Sequence, residues 1–359
     1  LKVKKEKAHR LWKVAAAAVA CALLVSLPGS AAAKKPRSLY WGATIGEQIT
    51  GTAAPWDMTP VQQFQSVAGK GLSIISFSST FADCNVSPCF YFRFPADEFD
   101  NIREYGAIPF YSWGSQSMPS VLEQPDFQLA DIIGGRYDTF IRNWALGAKE
   151  WGHPFFLRFD PEMNGFWFSW SEGVNGNQPG EFVTAWRHVH DIFTQVGANN
   201  ATWVWCPNVD TTGHLRNLRS LYPGDSYVDW TCLDGFNWGE RRGSPGWYSF
   251  TKIYHSTYRL ITKKIAPSKP MVIGEIASTD RGGSKAKWIK NMLNLVRNRY
   301  RKVRGLIWYD VNDRGTHWPL ETSSGKAKRA FRAGIRSGAF RPNVYGKLGG
   351  TGPVPPPSR

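Results

Sequence analysis

Two short segments place a glutamate where a folded chain tolerates one poorly. Asp160-Pro161-Glu162-Met163-Asn164-Gly165 follows the apolar run PFFLRF, and Gly274-Glu275-Ile276-Ala277-Ser278 closes the run PMVI. A carboxylate in such a position is expensive unless it is paired or employed. Two carboxyls facing one another across a cleft suit the hydrolysis of a glycosidic bond. One, with a raised pKa, protonates the leaving oxygen, and the other, ionised, attacks the anomeric carbon; this retaining arrangement asks for a separation of roughly 5–5.5 Å. The bland alternative for each glutamate is a salt bridge at a rim. Other chemistries find less support. The seven His do not cluster, and neither HExxH nor GxSxG is present. No expected strand ends in Lys, which argues against Schiff-base chemistry. Neither a metal nor another cofactor is expected.

The elements that must position these residues form a coarse repeat. Short apolar, β-branched or aromatic runs occur at 39–46, 72–79, 107–114, 154–162, 201–208, 229–238, 270–278 and 303–311. They are nearly continuous, as strands buried on both faces are. Helical patterns fill gaps between them. At 179–197, Phe182, Trp186, Val189, Phe193 and Val196 recur at spacings of three and four, with Pro179 at the start and Gly197 as a stop. Further helices are expected over 287–301, 97–105 and 326–336. Eight strands alternating with helices predict an α/β chain folded as a single-domain (β/α)8 TIM barrel. A doubly wound sheet would want GxGxxG or GxxxxGK[ST], and neither occurs. In a barrel, chemistry sits at the C-terminal ends of the strands, so Glu162 and Glu275 fall on strands four and seven and face one another across the mouth.

Here the chain resembles a known family. The segment RFDPEMNGFWFSW (158–170) is similar to the acid/base motif of glycoside hydrolase family 26, which contains β-mannanases and some β-1,3-1,4-glucanases and xylanases on (β/α)8 barrels. The resemblance spans roughly 39–340. It implies that Glu162 is the acid/base, that Glu275 is the nucleophile, and that Trp167 contacts sugar. It further implies a β-linked polysaccharide as substrate, β-mannan first and β-1,3-1,4-glucan or another β-glycan as the close alternative. A carbohydrate-binding barrel without activity is the alternative of another class. Two positions depart from the family pattern. Pro161 stands where a His normally precedes the acid/base, and Phe236 or Trp238 stands where a Tyr normally orients the nucleophile.

Other strand ends are rich in groups that could hold a sugar. Trp113, Asn208, Trp238 and Trp308 are expected to contact substrate, the rings by stacking and the amide by hydrogen bonding. Arg158, two residues before Asp160, is placed for an ion pair inside the barrel mouth.

The composition admits two kinds of partner. The chain of 359 residues carries a formal charge of +16 and 17 Trp. The charge alone would suit a polyanion. Six of the bases and one acid fall in 1–33, however, before and around the apolar run Val14–Leu27 and the Ala31-Ala32-Ala33 pattern, so this segment reads as a secretory signal peptide. Many of the remaining bases lie in the last two helices, for example Lys287, Lys290, Arg297 and Arg329. That face is either solvated or an attachment surface for an acidic wall polymer. Nucleic acid is not expected as a partner, and neither is stable membrane insertion after signal cleavage. A secreted or wall-associated monomer acting on polysaccharide is the expectation. Export suits disulfides: Cys84 and Cys89 would staple a small loop, and Cys206 and Cys232, near successive strands, could pair. Residues 34–341 form the expected domain, and 342–359 read as a linker-like, frayed tail rich in Gly and Pro.

Overall fold

The computed structural model describes residues 37–211, 213–240, 246–313, 315–345, 348 and 350–358. The expected signal peptide lies outside the described residues. Eight parallel strands close into a barrel: β1 (Tyr40–Ile45), β2 (Ile74–Asp83), β3 (Ile108–Met118), β4 (Phe155–Phe159), β5 (Ala201–Trp205), β6 (Trp230–Asn237), β7 (Met271–Ser278) and β8 (Val303–Asp310). Each pairs with its sequence neighbours, and β1 pairs with both β2 and β8, which closes the ring.

The intervening helices include α1 (Thr59–Ala68), α2 (Ala96–Tyr105), α3 (Leu129–Ile133), α4 (Asp138–Trp151), α5 (Glu181–Val196), α6 (Phe250–Leu260), α7 (Lys285–Asn298) and α8 (Gly325–Ile335). Their apolar stripes face the barrel. In α5 the buried residues are Phe182, Ala185, Trp186, Val189, Ile192 and Phe193, and Gly197 ends the helix at φ 76°. Among the described residues no helix is long and apolar enough to cross a membrane. No helix separates β5 from β6 among the described residues.

Side chains alternate along each strand between two buried layers. The outer layer lies between barrel and helices, where Trp113 stacks on Trp144 with ring centroids 4.5 Å apart. The inner layer fills the lower barrel with Tyr40, Ile74, Ile108, Phe110, Phe156 and Val272. The Cys206–Cys232 disulfide joins β5's end to β6 inside the barrel, and both residues are fully buried.

The C-terminal tail corrects the expectation of a frayed end. Val344, Tyr345 and Val354 pack against the inner layer at the barrel floor. The Val354 N–H donates to Thr202 Oγ1 at 2.7 Å, the Trp230 indole N–H donates to Val354 O at 3.0 Å, and Tyr40 Oη donates to Pro355 O at 2.9 Å. A Pro-rich segment makes few backbone hydrogen bonds of its own, so composition reads as linker even where side chains and a groove fix it.

β4 and β5 stop at Phe159 and Trp205, short of their expected ends, and two strands overrun theirs. β2 and β3 run on past the barrel rim, to Asp83 and Met118.

Candidate active site

The end of β4 is bent by its own residues. Asp160 and Glu162 both take left-handed conformations, φ 41° and 56°, on either side of Pro161. Such a conformation costs about 1–3 kcal/mol for a non-glycine residue and persists where surrounding bonds impose it. Those bonds are present. Asp160 accepts from the Ser115 N–H and hydroxyl, each at 2.7 Å, and the Glu162 N–H donates to Cys206 O at 2.7 Å. Burial pushes the Asp160 carboxyl up to about 8, although both Ser115 bonds oppose that.

The bend delivers Glu162 to the barrel mouth with both oxygens engaged. Trp167 Nε1 donates to Oε2 at 2.6 Å, and Asn208 Nδ2 donates to Oε1 at 2.7 Å. Asn208 is itself fixed by a reciprocal pair with Asn164: its N–H donates to Asn164 Oδ1, and Asn164 Nδ2 donates to its carbonyl. Gly165 is required for this arrangement, because a Cβ there would lie 2.6 Å from the Trp167 ring. Burial, and next the charge of Glu275, raise the Glu162 pKa to about 7 against the opposing pull of Asn208, Trp167 and Arg158.

Glu275 reaches the same place from β7. Register shifts between Leu233 and Asp234, and between Ile273 and Ile276, mark an irregularity around it. Gly274 makes room: a Cβ there would lie 2.5 Å from Cys232 Sγ and 2.7 Å from Asp234 Oδ1. Arg158 carries the pairing. It donates to Glu275 Oε1 and Asp234 Oδ2, both at 2.5 Å, and through Nε to Ser112 Oγ at 2.7 Å. The ion pair expected of Arg158 therefore bridges β6 and β7. Asp234 is fully buried, and burial drives its pKa well up against the charge of Arg158. Glu162, Asp234 and Glu275 each offer an oxygen within 4.8 Å of the others. That spacing alone could hold a cation, but the single positive charge of Arg158 already pairs with two of the three.

A cleft of about 1550 Å³ opens over these groups. Trp167, Asn208 and Trp238 line it, as do Phe236, Tyr309 and Trp318. Phe236 has no hydroxyl to offer Glu275 and stacks on Trp318 with centroids 4.6 Å apart. Trp113 and Trp308 are corrections: both are fully buried in the layer between barrel and helices and cannot meet a substrate. The register explains why. Trp113 pairs with Phe159 and Ser112 with Arg158, so the inward position is Ser112. On β8 the inward residue is Tyr309, one position beyond Trp308.

Sequence reasoning missed Asp234, although it satisfies the criterion that identified the glutamates: a carboxylate inside an apolar run, here WTCLDGF. It also missed Ser112 and Ser115, whose residue type carries no signal before the strand's inward face is known.

Residues 106–280 match Glycosyl hydrolase family 26. Endoglucanase H of Acetivibrio thermocellus is 31% identical over 322 residues, which cover 88% of this chain and 32% of that protein. Mannan endo-1,4-beta-mannosidase of Bacillus subtilis is 28% identical over 114 residues, 29% of this chain and 30% of that protein. The chain thus spans about a third of the length of these curated relatives. Among solved structures, a modular endo-beta-1,4-mannanase from Cellulomonas fimi has the same fold, with a TM-score of 0.62 at 18% identity over 86% of this chain and 72% of that one.

Proposed function

We propose that the chain is a member of glycosyl hydrolase family 26, which its residues 106–280 match, and that it is an exported monomer that cleaves the backbone of a β-linked polysaccharide with retention. The observation that carries this reading is the approach of Glu162 and Glu275 oxygens to within 4.8 Å. That distance leaves no room for the water an inverting enzyme holds between carboxyls roughly 6.5–9.5 Å apart. Glu275, charged and aimed by Arg158, attacks the anomeric carbon. Glu162, protonated up to about pH 7, gives its proton to the leaving oxygen. Water then enters on the leaving-group side, Glu162 takes its proton, and the bond to Glu275 breaks.

Two observations favour a glucan backbone, β-1,3-1,4-linked or β-1,4-linked, over mannan. Pro161 offers the sugar no side-chain hydrogen bond where the family normally supplies His. The similarity to Endoglucanase H also runs over most of the chain. Mannan is the second reading, supported by the similarity to the Bacillus subtilis mannosidase. Product release from mixed-linkage glucan, cellulose, mannan and xylan tests both readings. Wild type is expected to act on a glucan, and Glu162→Ala and Glu275→Ala to lose at least about 10³-fold in kcat/KM. Silence on all four polymers removes the reading, and an α-anomeric first product removes retention.

A further inference from the structure

Beyond the barrel mouth β2 and β3 continue as a two-stranded blade. β3 last pairs with β4 at Trp113, yet it stays paired with β2 as far as Met118. Five further residues extend it by roughly 16 Å at about 3.3 Å each. Between Thr80 and Ala82 of β2 the partner strand advances from Gly114 to Ser117, one residue more, so β3 bulges midway. At the tip, Phe90–Tyr91 folds back antiparallel on Ala82 and Asp83, and the Cys84–Cys89 disulfide staples the turn. The Cys84 N–H donates to Met118 O at 2.8 Å, and the Phe92 N–H to Phe81 O at 3.0 Å.

Alternation along this ribbon gives it two faces. Tyr91 packs on α4, its ring 5.3 Å from that of Phe140. Phe90 and Phe92 line the cleft. Phe90 is 56% exposed, and Phe92 meets its ring edge-on at 5.5 Å. Two other exposed rings of the cleft are braced in the same way. Trp56 stands edge-on to Phe77 at 5.7 Å, and Phe166 edge-on to Trp167 at 5.2 Å. All three rings are more than half exposed and so offer apolar aromatic surface to the cleft, which suits a pyranose ring. Trp56, Phe90 and Phe166 line the same continuous cleft as Glu162 and Glu275.

We propose that Phe90, held out on the disulfide-stapled ribbon, is a distal sugar-stacking platform, so that a β-glycan chain passing Glu162 and Glu275 continues along the blade and long chains are preferred over short ones. This rests on the glycanase reading above. The occupant follows from continuity: the cleft that holds the carboxyls runs without a break to the ribbon, and the exposed Ser120 beside it, which accepts from Gln116 Nε2 at 2.9 Å, offers a hydroxyl to sugar hydroxyls. The ribbon is fixed before binding by the staple, by its pairing with β2 and by Tyr91, so little ordering entropy opposes stacking.

The test is kcat/KM on an oligosaccharide ladder prepared from whichever polymer the wild type cleaves. Phe90→Ala should lose about tenfold on long chains, mainly through KM, and nothing on the shortest chain cleaved. Phe90→Trp should restore the loss, and Cys84→Ser with Cys89→Ser should shift the ladder as Phe90→Ala does. An equal loss at every length, or none at any, overturns the proposal. A wild type inert on every polymer fails the glycanase reading instead. Affinity electrophoresis in glucan- and mannan-containing gels then decides the platform separately, since retardation of wild type that Phe90→Ala leaves unchanged overturns it. A concentration-dependent dimer that Phe90→Ala abolishes assigns the ring to a second copy and also overturns it.

Discussion

At the mouth of the barrel the interior holds Arg158, Asp234 and Glu275 in direct contact, with Glu162 beside them, whereas at the floor it holds Tyr40, Ile74, Phe110, Phe156 and Val272 under a lid formed by Val354. Buried charges are a poor way to stabilise a fold, because desolvation offsets most of their attraction. The mouth adds two left-handed residues, Asp160 and Glu162. The floor has neither burden and removes apolar surface from water, which is how a core gains stability. One barrel thus separates two tasks along its axis. The floor and the outer layer stabilise an arrangement that the mouth alone would not keep.

The sharpest way to break this contrast is Asp234→Asn. It keeps the shape but leaves Arg158 with one carboxylate instead of two. Denaturant unfolding should show a loss of about 1.5–3 kcal/mol, the scale of a buried hydrogen bond to a charged group, and kcat should fall because Arg158 is held less firmly against Glu275. A loss below about 1 kcal/mol would mean that the mouth is not the strained end. Removing 350–358 is the matching change at the floor. It exposes the surface Val354 covers and cuts its bonds to Thr202 and Trp230. Stability should fall by about 2–3 kcal/mol with kcat unchanged; a kcat that falls in proportion would show the two ends coupled. The mildest probe is Trp167→Phe. The indole N–H stabilises the ionised form of Glu162, so its loss favours the proton and raises the pKa above about 7. The alkaline limb of kcat/KM should move to higher pH by less than about one unit, with stability unaltered. A limb that stays in place or moves down would remove Trp167 from control of Glu162.

The eight strands and the glutamates on the fourth and seventh were legible because burial leaves a strong mark: a long apolar run, then a carboxylate with no cheap reason to be there. What was not legible was facing. Trp113 and Trp308 lie at the right height in the barrel but point outward, while Ser112 and Tyr309 point in. A strand buried on both faces has no polar alternation to fix its phase, so neighbouring positions cannot be told apart. The blade was hidden for a related reason. Its tip DCNVSPCF reads as a loop, and only pairing between distant residues shows that β2 and β3 continue beside it. The floor-sealing tail was hidden because PVPPP makes its contacts through a groove that no local pattern describes.

The Cys206–Cys232 bond sets an order of events during biogenesis. Both sulfurs are sealed inside the barrel, against Asp234 and close to Arg158. Buried as they are, the two sulfurs are expected to be oxidised before the eight strands close, and a thiol count during refolding checks that order. A chain produced in a reducing compartment closes over two thiols instead, and the hydrogen of one then meets a carboxylate that Arg158 needs. Two preparations with the same sequence and the same fold can therefore differ in activity according to where they were made, and a thiol count under denaturing conditions tells them apart.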